Sequence, residues 1–317
     1  MRCLCCNKII DNENYQSGWH NSCIKKFFGV SKMPIIELSS SNVELNKYGE
    51  KLIDDKHSVT GVQKKLSLHL SKEKQINRLT LIGYPIGYIL KPESEEYPMI
   101  AKAEHMVMSM ANECGIKTPL HALIKLEDHT FAYITKRIDR DNKKKIHMED
   151  FCQLSKRLTE YKYNSSYEKC AKVIEQYSTF ANLDKSELFY RLLFCFVTCN
   201  SDMHLKNFSL IEKENEVFLS PAYDLLPVNI LINDEEEVAL TLNGKKKNLT
   251  QNDFIKYGIN IGLEQKIIDN LIKQIINNKK VILKCIDESL LESDDKEKYK
   301  ELVIERFSRF HKYNIDN

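Results

Sequence analysis

The stretch from Asn200 to Leu225 constrains the fold of this chain more than any other. It reads Asn200-Ser-Asp-Met-His-Leu-Lys-Asn207-Phe-Ser, then a charged turn, then Val217-Phe-Leu-Ser-Pro-Ala-Tyr-Asp224-Leu. A long apolar run, Leu188 to Cys199, leads into it and reads as a buried helix. The two short runs flanking Glu212 to Glu216 read as a hairpin. Asp202 and Asn207 therefore fall on one loop, five positions apart, and Asp224 lies just past the second strand.

Each half of this stretch, taken alone, is an ordinary polar loop with capping Asn and Asp residues. Together they supply what phosphoryl transfer needs. One carboxylate orients a hydroxyl nucleophile and accepts its proton, while an amide and a second carboxylate hold magnesium on the nucleotide phosphates. Asp-x-x-x-x-Asn followed by an Asp beyond a hairpin offers all three groups.

The remaining chain is long enough to build around such a loop. Its 317 residues can form two lobes with sizeable cores, and 42% hydrophobic with 29% charged residues is ordinary for a globular protein. A net charge of +2 implies no polyelectrolyte role and no direct sequence-specific nucleic-acid binding. There is no N-terminal apolar leader, and no apolar run approaches the roughly 20 residues that span a bilayer, so a cytoplasmic protein without membrane partners is expected. In that setting the ten cysteines read as thiols or metal ligands, not as a disulfide framework.

The N-terminus gives those thiols a use. Cys3 and Cys6 form a C-x-x-C pair, and His20 with Cys23 forms H-x-x-C. Two tight pairs separated by a loop match a tetrahedral Cys₃His zinc site, with Cys5 as an extra thiol that could compete. All four positions would be filled by protein, which favours a structural ion. Residues 1–30 are expected to be a zinc-binding module and residues 31–56 a linker, the stretch from Phe27 to Leu38 included.

Weaker signals follow. Thr60-Gly61-Val62-Gln63-Lys64-Lys65 could cover phosphates with backbone N–H groups and lysine, although one glycine makes a plain hairpin entry equally readable. Leu66, Leu68 and Leu70 alternate as a strand would. Gly87 to Lys91 is a short apolar strand ending in lysine, and residues 98–114 read as a helix stopped by Gly115. Glu104 on that helix is placed to pair with a strand lysine; Met106, Met108 and Met110 read as core. Two strands, 120–126 and 130–136, run into Lys136-Arg-Ile138-Asp139-Arg140, where a two-lobed kinase has its hinge. Residues 149–199 read as mainly helical, Thr250 to Asp253 as a helix N-cap, and Asp234 to Glu237 as an acidic turn.

This ordered set resembles the HipA family of serine/threonine kinases, toxins of bacterial toxin–antitoxin systems, and is most similar to the short HipT type. The segments carrying the resemblance are residues 58–65, Tyr88-Ile-Leu-Lys91-Pro, Lys136 to Arg140, Asn200 to Ser209 and Ser220 to Asp224. The resemblance implies an α+β, two-lobed protein-kinase-like fold, with residues 57–138 as the N-lobe and 139–317 as a mostly helical C-lobe. It implies Asp202 as catalytic base, and Asn207 and Asp224 as magnesium ligands. Lys91 would contact the phosphates, and Thr60 to Lys65 would form the phosphate loop. Lys136 and Ile138 would offer backbone groups to adenine, with Asp139 near the ribose and His204 and Lys206 facing the nucleotide. Ser58 matches the family's autophosphorylated serine, and Thr60 occupies a second candidate position. The implied reaction is phosphate transfer from ATP to a protein, in characterised members an aminoacyl-tRNA synthetase. The implied partners are antitoxins, a small HipS-like protein and a DNA-binding HipB-like protein. The cysteine-rich N-terminus lies outside the match. Two other readings use the same residues: a small-molecule phosphotransferase, which would usually carry His-Gly before the Asp where this chain has Asn200-Ser201, and a catalytically silent regulator acting through its zinc module.

Overall fold

The computed structural model of the chain describes residues 1–10, 17–38, 65–73, 76–81, 87–93, 96–141, 144–232 and 236–310. It is an α+β protein whose chain falls into two compact units. The first comprises residues 1–109, 118–145 and 288–290, and the second residues 110–117, 146–287 and 291–317. No helix among the described residues is long and apolar enough to cross a membrane.

The first unit opens with helix α1 (Asn21–Phe28), followed by strands β1 (Ile35–Ile36), β2 (Leu66–Glu73), β3 (Ile76–Leu81) and β4 (Tyr88–Pro92). Helix α2 (Ile100–Glu113), strands β5 (His121–Lys125) and β6 (Phe131–Lys136), and a small pair β7 (Arg140–Asp141) and β8 (Lys144–Lys145) complete it. Six strands form one sheet in the order β1-β3-β2-β4-β6-β5, antiparallel except for β1 against β3. The alternation read from the sequence holds at the start of β2, where Leu66 and Leu68 are buried and Ser67 is half-buried, and lapses at Leu70, which is half-buried like His69. Gly87 is needed at the entry to β4: its φ is +66°, and a Cβ there would lie 2.7 Å from the Leu68 carbonyl oxygen. Ala101, Val107 and Met108 of α2 are fully buried, and Gly115 with φ +86° ends the segment as expected.

The segment from Phe27 to Leu38 is not the linker expected from its sequence. Phe27 and Phe28 close α1 and are buried, Ile35 and Ile36 extend the sheet, and Leu38 is buried with its carbonyl accepting from Glu127 N–H at 2.9 Å. Aromatic and aliphatic side chains at this density remain in water only at a cost of about 1.5–3 kcal/mol each, so they pack. The preceding residues pack too. Trp19 is fully buried and donates its indole N–H to Leu123 O at 3.1 Å.

The second unit is built on β9 (Met148–Asp150), α3 (Phe151–Leu154), α4 (Tyr167–Tyr177), α5 (Ala181–Val197), β10 (Ser209–Lys213) and β11 (Glu216–Leu219). Helices α6 (Val228–Leu231), α7 (Gln251–Asn260), α8 (Gln265–Asn277), α9 (Lys279–Asp287) and α10 (Ser293–Ser308) follow. Helix α5 is the apolar run recognised in the sequence. Every residue from Leu188 to Val197 is buried, so it is an interior helix, and α4, α8 and α10 pack on it. Arg191, fully buried in this helix, pairs with Glu187 at 2.6 Å and donates to Ser220 O at 2.9 Å. The hairpin β10–β11 turns at Glu214 and Asn215, as the sequence implies, and β9 adds as a third strand.

Two local readings resolve differently. Asp253 accepts from the Thr250 backbone N–H at 2.9 Å, so the expected cap on α7 is a reciprocal box. Glu237, read as the end of an acidic turn, is buried. It pairs with Arg306 at 2.9 Å and accepts from Arg309 at 2.5 Å and Leu249 N–H at 2.9 Å, which hold its carboxyl below the usual range despite burial. Its arginine partners are some 70 residues away, beyond the reach of a local reading.

Candidate phosphoryl-transfer residues

In the first unit the central observation is an ion pair. Lys91 on β4 and Glu104 on α2 meet at 2.5 Å, with exposures of 2% and 0%. Burying a lone ammonium or carboxylate costs several kcal/mol, so each group requires the other. The Lys91 Nζ also lies 5.4 Å from the centre of the Tyr133 ring. Lys65 is half-buried at the entry to β2, while Ser58, Thr60, Gly61, Val62, Gln63 and Lys64 lie outside the described residues.

The expected hinge residues are placed at the end of β6. Lys136 pairs with Tyr88 in the sheet and sends its backbone N–H to Leu120 O at 2.8 Å. Arg137 N–H bonds to Gly87 O at 2.9 Å, and Ile138 is half-buried. Asp139, expected near a ribose, is clasped by its neighbours: Arg137 Nε and Nη2 both donate at 2.9 Å, and Arg140 Nη1 at 2.6 Å. Burial works the other way, but these guanidiniums hold its carboxyl below the ordinary value.

In the second unit the loop after α5 is fixed by its own backbone. Cys199 adopts φ +56° where the helix stops, and Asn200 N–H bonds back to Cys195 O at 2.8 Å. Asn200 Oδ1 then accepts from Asp202 N–H at 3.1 Å, an Asx turn that presents Asp202. Asn207 Nδ2 donates to the Asp202 carbonyl at 2.8 Å, closing the loop on itself. The Tyr163 hydroxyl donates to Asp202 Oδ1, and the Tyr163 ring meets His204 edge-on at 4.9 Å. Asp202, His204 and Asn207 are all buried. Lys206 is tied to Asp150 at 2.8 Å. Tyr223 fixes the next turn, donating to Lys206 O at 2.9 Å and sharing a 2.6 Å bond with Ser209. Asp224 follows, half-buried, with φ +55°.

Within the second unit the structure thus gathers Asp202, His204, Lys206 and Asn207 on one loop. Within the first it places Lys91, Lys136, Ile138 and Asp139 on β4, β6 and the turn beyond. Three residues escaped the sequence reading. Tyr163 and Asp150 lie 39 and 56 positions from their partners, with no local signal. Asn200 could have been found, since Asn two residues before a key Asp is the spacing of an Asx turn.

The chain from residue 57 to residue 281 matches the family model of the HipA-like C-terminal domain. The chain belongs to that family. A Haemophilus influenzae protein named as an inferred kinase is 30% identical over 264 residues, covering 74% of this HipA-like chain and 76% of its own length. The inferred kinase Y4dM of Sinorhizobium fredii is 29% identical, and this chain spans 58% of its length. Among solved structures, HipA of Shewanella oneidensis MR-1, determined with HipB and operator DNA, superposes with a TM-score of 0.68. Its identity is 20%, with coverage of 86% of this chain and 73% of that one. The Helicobacter pylori proinflammatory kinase CtkA superposes at 0.55 with 15% identity, covering 77% and 93%. The HipA-like kinase fold is therefore shared even where little sequence is.

Four further candidate residues form a cluster in the first unit. One donor atom from each of Cys3, Cys6, His20 and Cys23 lies within 4.8 Å of all the others. His20 Nδ1 is 3.4 Å from Cys6 Sγ and 3.9 Å from Cys23 Sγ. A zinc tetrahedron with bonds of about 2.0–2.3 Å has edges of roughly 3.5–3.8 Å, so the donor set fits that ion. His20 Nε2 bonds to Ile9 O at 3.0 Å, which leaves Nδ1 as the ligating nitrogen. Burial opposes the Cys3 thiolate, but N–H groups of Cys6, Cys5 and His20 outweigh it and lower its pKa. Cys5 stands outside the quartet, its thiol pushed up to about 12 by burial.

Proposed function

We propose that the chain is an ATP-dependent serine/threonine protein kinase, acting as the toxin of a bacterial toxin–antitoxin system. The observation that carries this reading is the buried Lys91–Glu104 pair in a chain that also holds Asp202 and Asn207 on a closed loop. A strand lysine paired with a helix glutamate is the phosphate-gripping device of protein kinases.

In this reading Asp202 orients the acceptor hydroxyl and takes its proton, with Tyr163 fixing the carboxylate's rotamer. Asn207 has Nδ2 committed to the loop, so Oδ1 is the atom it would offer to magnesium, alongside the Asp224 carboxylate. Hard oxygen donors of this kind suit magnesium, which when bound neutralises charge on the phosphates. Lys91 would engage the phosphates, and the segment from Thr60 to Lys65 would cover them. Lys136 and Ile138 would serve adenine through backbone groups, and His204 and Lys206 would line the nucleotide. Asp139 would act through Arg137 and Arg140, which occupy its oxygens, more readily than on a ribose directly. Ser58 is proposed as the autophosphorylation site, with Thr60 as a second.

The substrate is proposed to be a protein of the translation machinery, such as an aminoacyl-tRNA synthetase. The Shewanella neighbour was solved with HipB and operator DNA, which supports a HipB-like antitoxin partner for this chain; a HipS-like partner is proposed on the family resemblance alone. Zinc at Cys3, Cys6, His20 and Cys23 is proposed as a structural ion. Incubation with radiolabelled ATP and magnesium, followed by phosphosite mapping, tests the reading. Label on Ser58 or on a protein substrate is expected. Transfer only to small molecules, or none from wild-type protein that binds ATP, overturns it.

A further inference from the structure

We infer that zinc in the Cys3–Cys6–His20–Cys23 site positions the Lys91–Glu104 pair, so that metal loading governs nucleotide binding. This rests on the kinase reading for the role of Lys91, and on the residues below for the coupling itself.

Each link from the cluster to the rest of the first unit begins at or beside a ligand. Leu4, next to Cys3, accepts from Leu123 N–H of β5 at 2.8 Å. Trp19, next to His20, donates to Leu123 O at 3.1 Å. The backbone of Cys5, between Cys3 and Cys6, lies beside the His105 ring on α2. Cys23 lies in α1, one turn before Phe27 and Phe28, whose rings sit 5.6 and 5.5 Å from that of Tyr88 on β4. The Tyr88 hydroxyl donates to Phe27 O at 3.3 Å. His105 is the residue after Glu104, and Tyr88 is three before Lys91 on the same strand. The cluster therefore grips both elements that bring the ion pair together.

Packing also joins those gripping residues: the Trp19 ring lies 5.3 and 5.5 Å from those of Phe27 and Phe28, and Leu4 N–H bonds to Gly18 O at 2.9 Å. The first ligand pair lies on a turn and the second at the start of α1, and a core this small usually needs a staple to hold such elements in place. Ligand binding to such a segment is folding free energy, so loss of the ion releases Leu4, Cys5 and Trp19 from their places. The four ligands are thus positioning residues for Lys91 and Glu104, which they do not touch.

The test uses the full chain, zinc, and a chelator that takes zinc but leaves magnesium. Trp19 is the sole tryptophan, so its emission reports the cluster directly. Wild-type protein from zinc-replete medium is expected to hold close to one zinc per chain. Chelation should red-shift Trp19 and raise hydrogen exchange in residues 88–92 and 100–109, while residues 181–197 of the second unit stay protected. It should weaken a fluorescent ATP analogue and raise KM for ATP more than it lowers kcat. The overall loss should be on the order of ten- to a hundred-fold and reversible by zinc. Tyr88→Phe should keep its zinc and reproduce a smaller part of the ATP effect. It covers the case in which Cys23→Ser fails to fold. Zinc content near zero overturns the metal site. One zinc whose removal changes neither exchange nor ATP affinity overturns the coupling. Exchange that responds to zinc in a protein that never binds ATP upholds the coupling and overturns the kinase reading instead.

Discussion

The two units hold the charged groups of the candidate site in opposite ways. The first seals a full ion pair, Lys91 with Glu104, inside its core. The second presents Asp202 on a loop whose backbone donates to Asn200 and accepts from Asn207, with the Tyr163 hydroxyl donating to the carboxylate. In the first unit the charged groups are part of what keeps the sheet and helix α2 together. In the second the scaffold is complete without the carboxylate's charge, so chemistry and stability separate. Removing Lys91 should therefore cost folding, and removing the Asp202 charge should cost rate.

The largest effect tests the second half of that contrast. Asp202→Asn should lower phosphate transfer by about 10²–10⁴, since the proposed proton acceptor is lost. Asn can still accept from Tyr163, so chemical denaturation should show less than about 1 kcal/mol of change. A large loss of stability would erase the distinction.

Next comes the ion pair. Lys91→Met strands the Glu104 carboxylate in the core and should destabilise by about 3–5 kcal/mol, whereas Lys91→Met with Glu104→Leu should recover most of that. A double mutant as unstable as the single would show that packing, not charge, dominates there.

Acid sharpens the contrast further. Burial, chiefly, lowers His105 to about 3 and His121 to about 4, and the two rings stand 5.6 Å apart in the first unit. Both fold in the neutral form, so between those values and the unfolded value near 6.5 the unfolded chain binds more protons. Their contribution is complete above about pH 6.5 and is lost as pH falls, by at most about 1.4 kcal/mol per pH unit for each histidine. Urea titrations at pH 5 and 7 on wild type and His121→Gln should show the slope reduced by about half in the variant. An unchanged slope would place the acid sensitivity elsewhere.

The smallest effect concerns Tyr163. Tyr163→Phe removes the donor to Asp202 and should cost about 0.5–1.5 kcal/mol in the transfer barrier, at most about ten-fold in rate, with ATP affinity unchanged. A loss as large as that of Asp202→Asn would make Tyr163 a full partner in the proton transfer.

These contrasts were partly legible before any coordinates. Strand β4, helix α2 and the β10–β11 hairpin follow from local alternation, helical spacing and a turn. So does the spacing of Asp202, Asn207 and Asp224, because those residues share one loop and one hairpin. Glu104 was readable as a partner for Lys91 because both lie on short, well-marked elements. What stayed hidden was non-local. Nothing near Glu237 announces Arg306 and Arg309, and nothing near Asp202 announces Tyr163. The run from Phe27 to Leu38 looked like a connector because two-residue strands and an aromatic end to a short helix carry no period. Its role appears only when Tyr88 is beside it.

The backbone at Asp224 bears on how the second unit should be probed. With φ +55°, that position favours Gly, Asn or Asp, and other L-residues pay roughly 1–2 kcal/mol to occupy it. A conventional alanine scan would confound two losses there, the carboxylate and the conformation, and would overstate the side chain's share. Asparagine keeps the conformation and drops the charge, and glycine drops the side chain and relaxes the backbone. Reading the two replacements against each other separates ligand chemistry from chain geometry at a residue where a single truncation cannot.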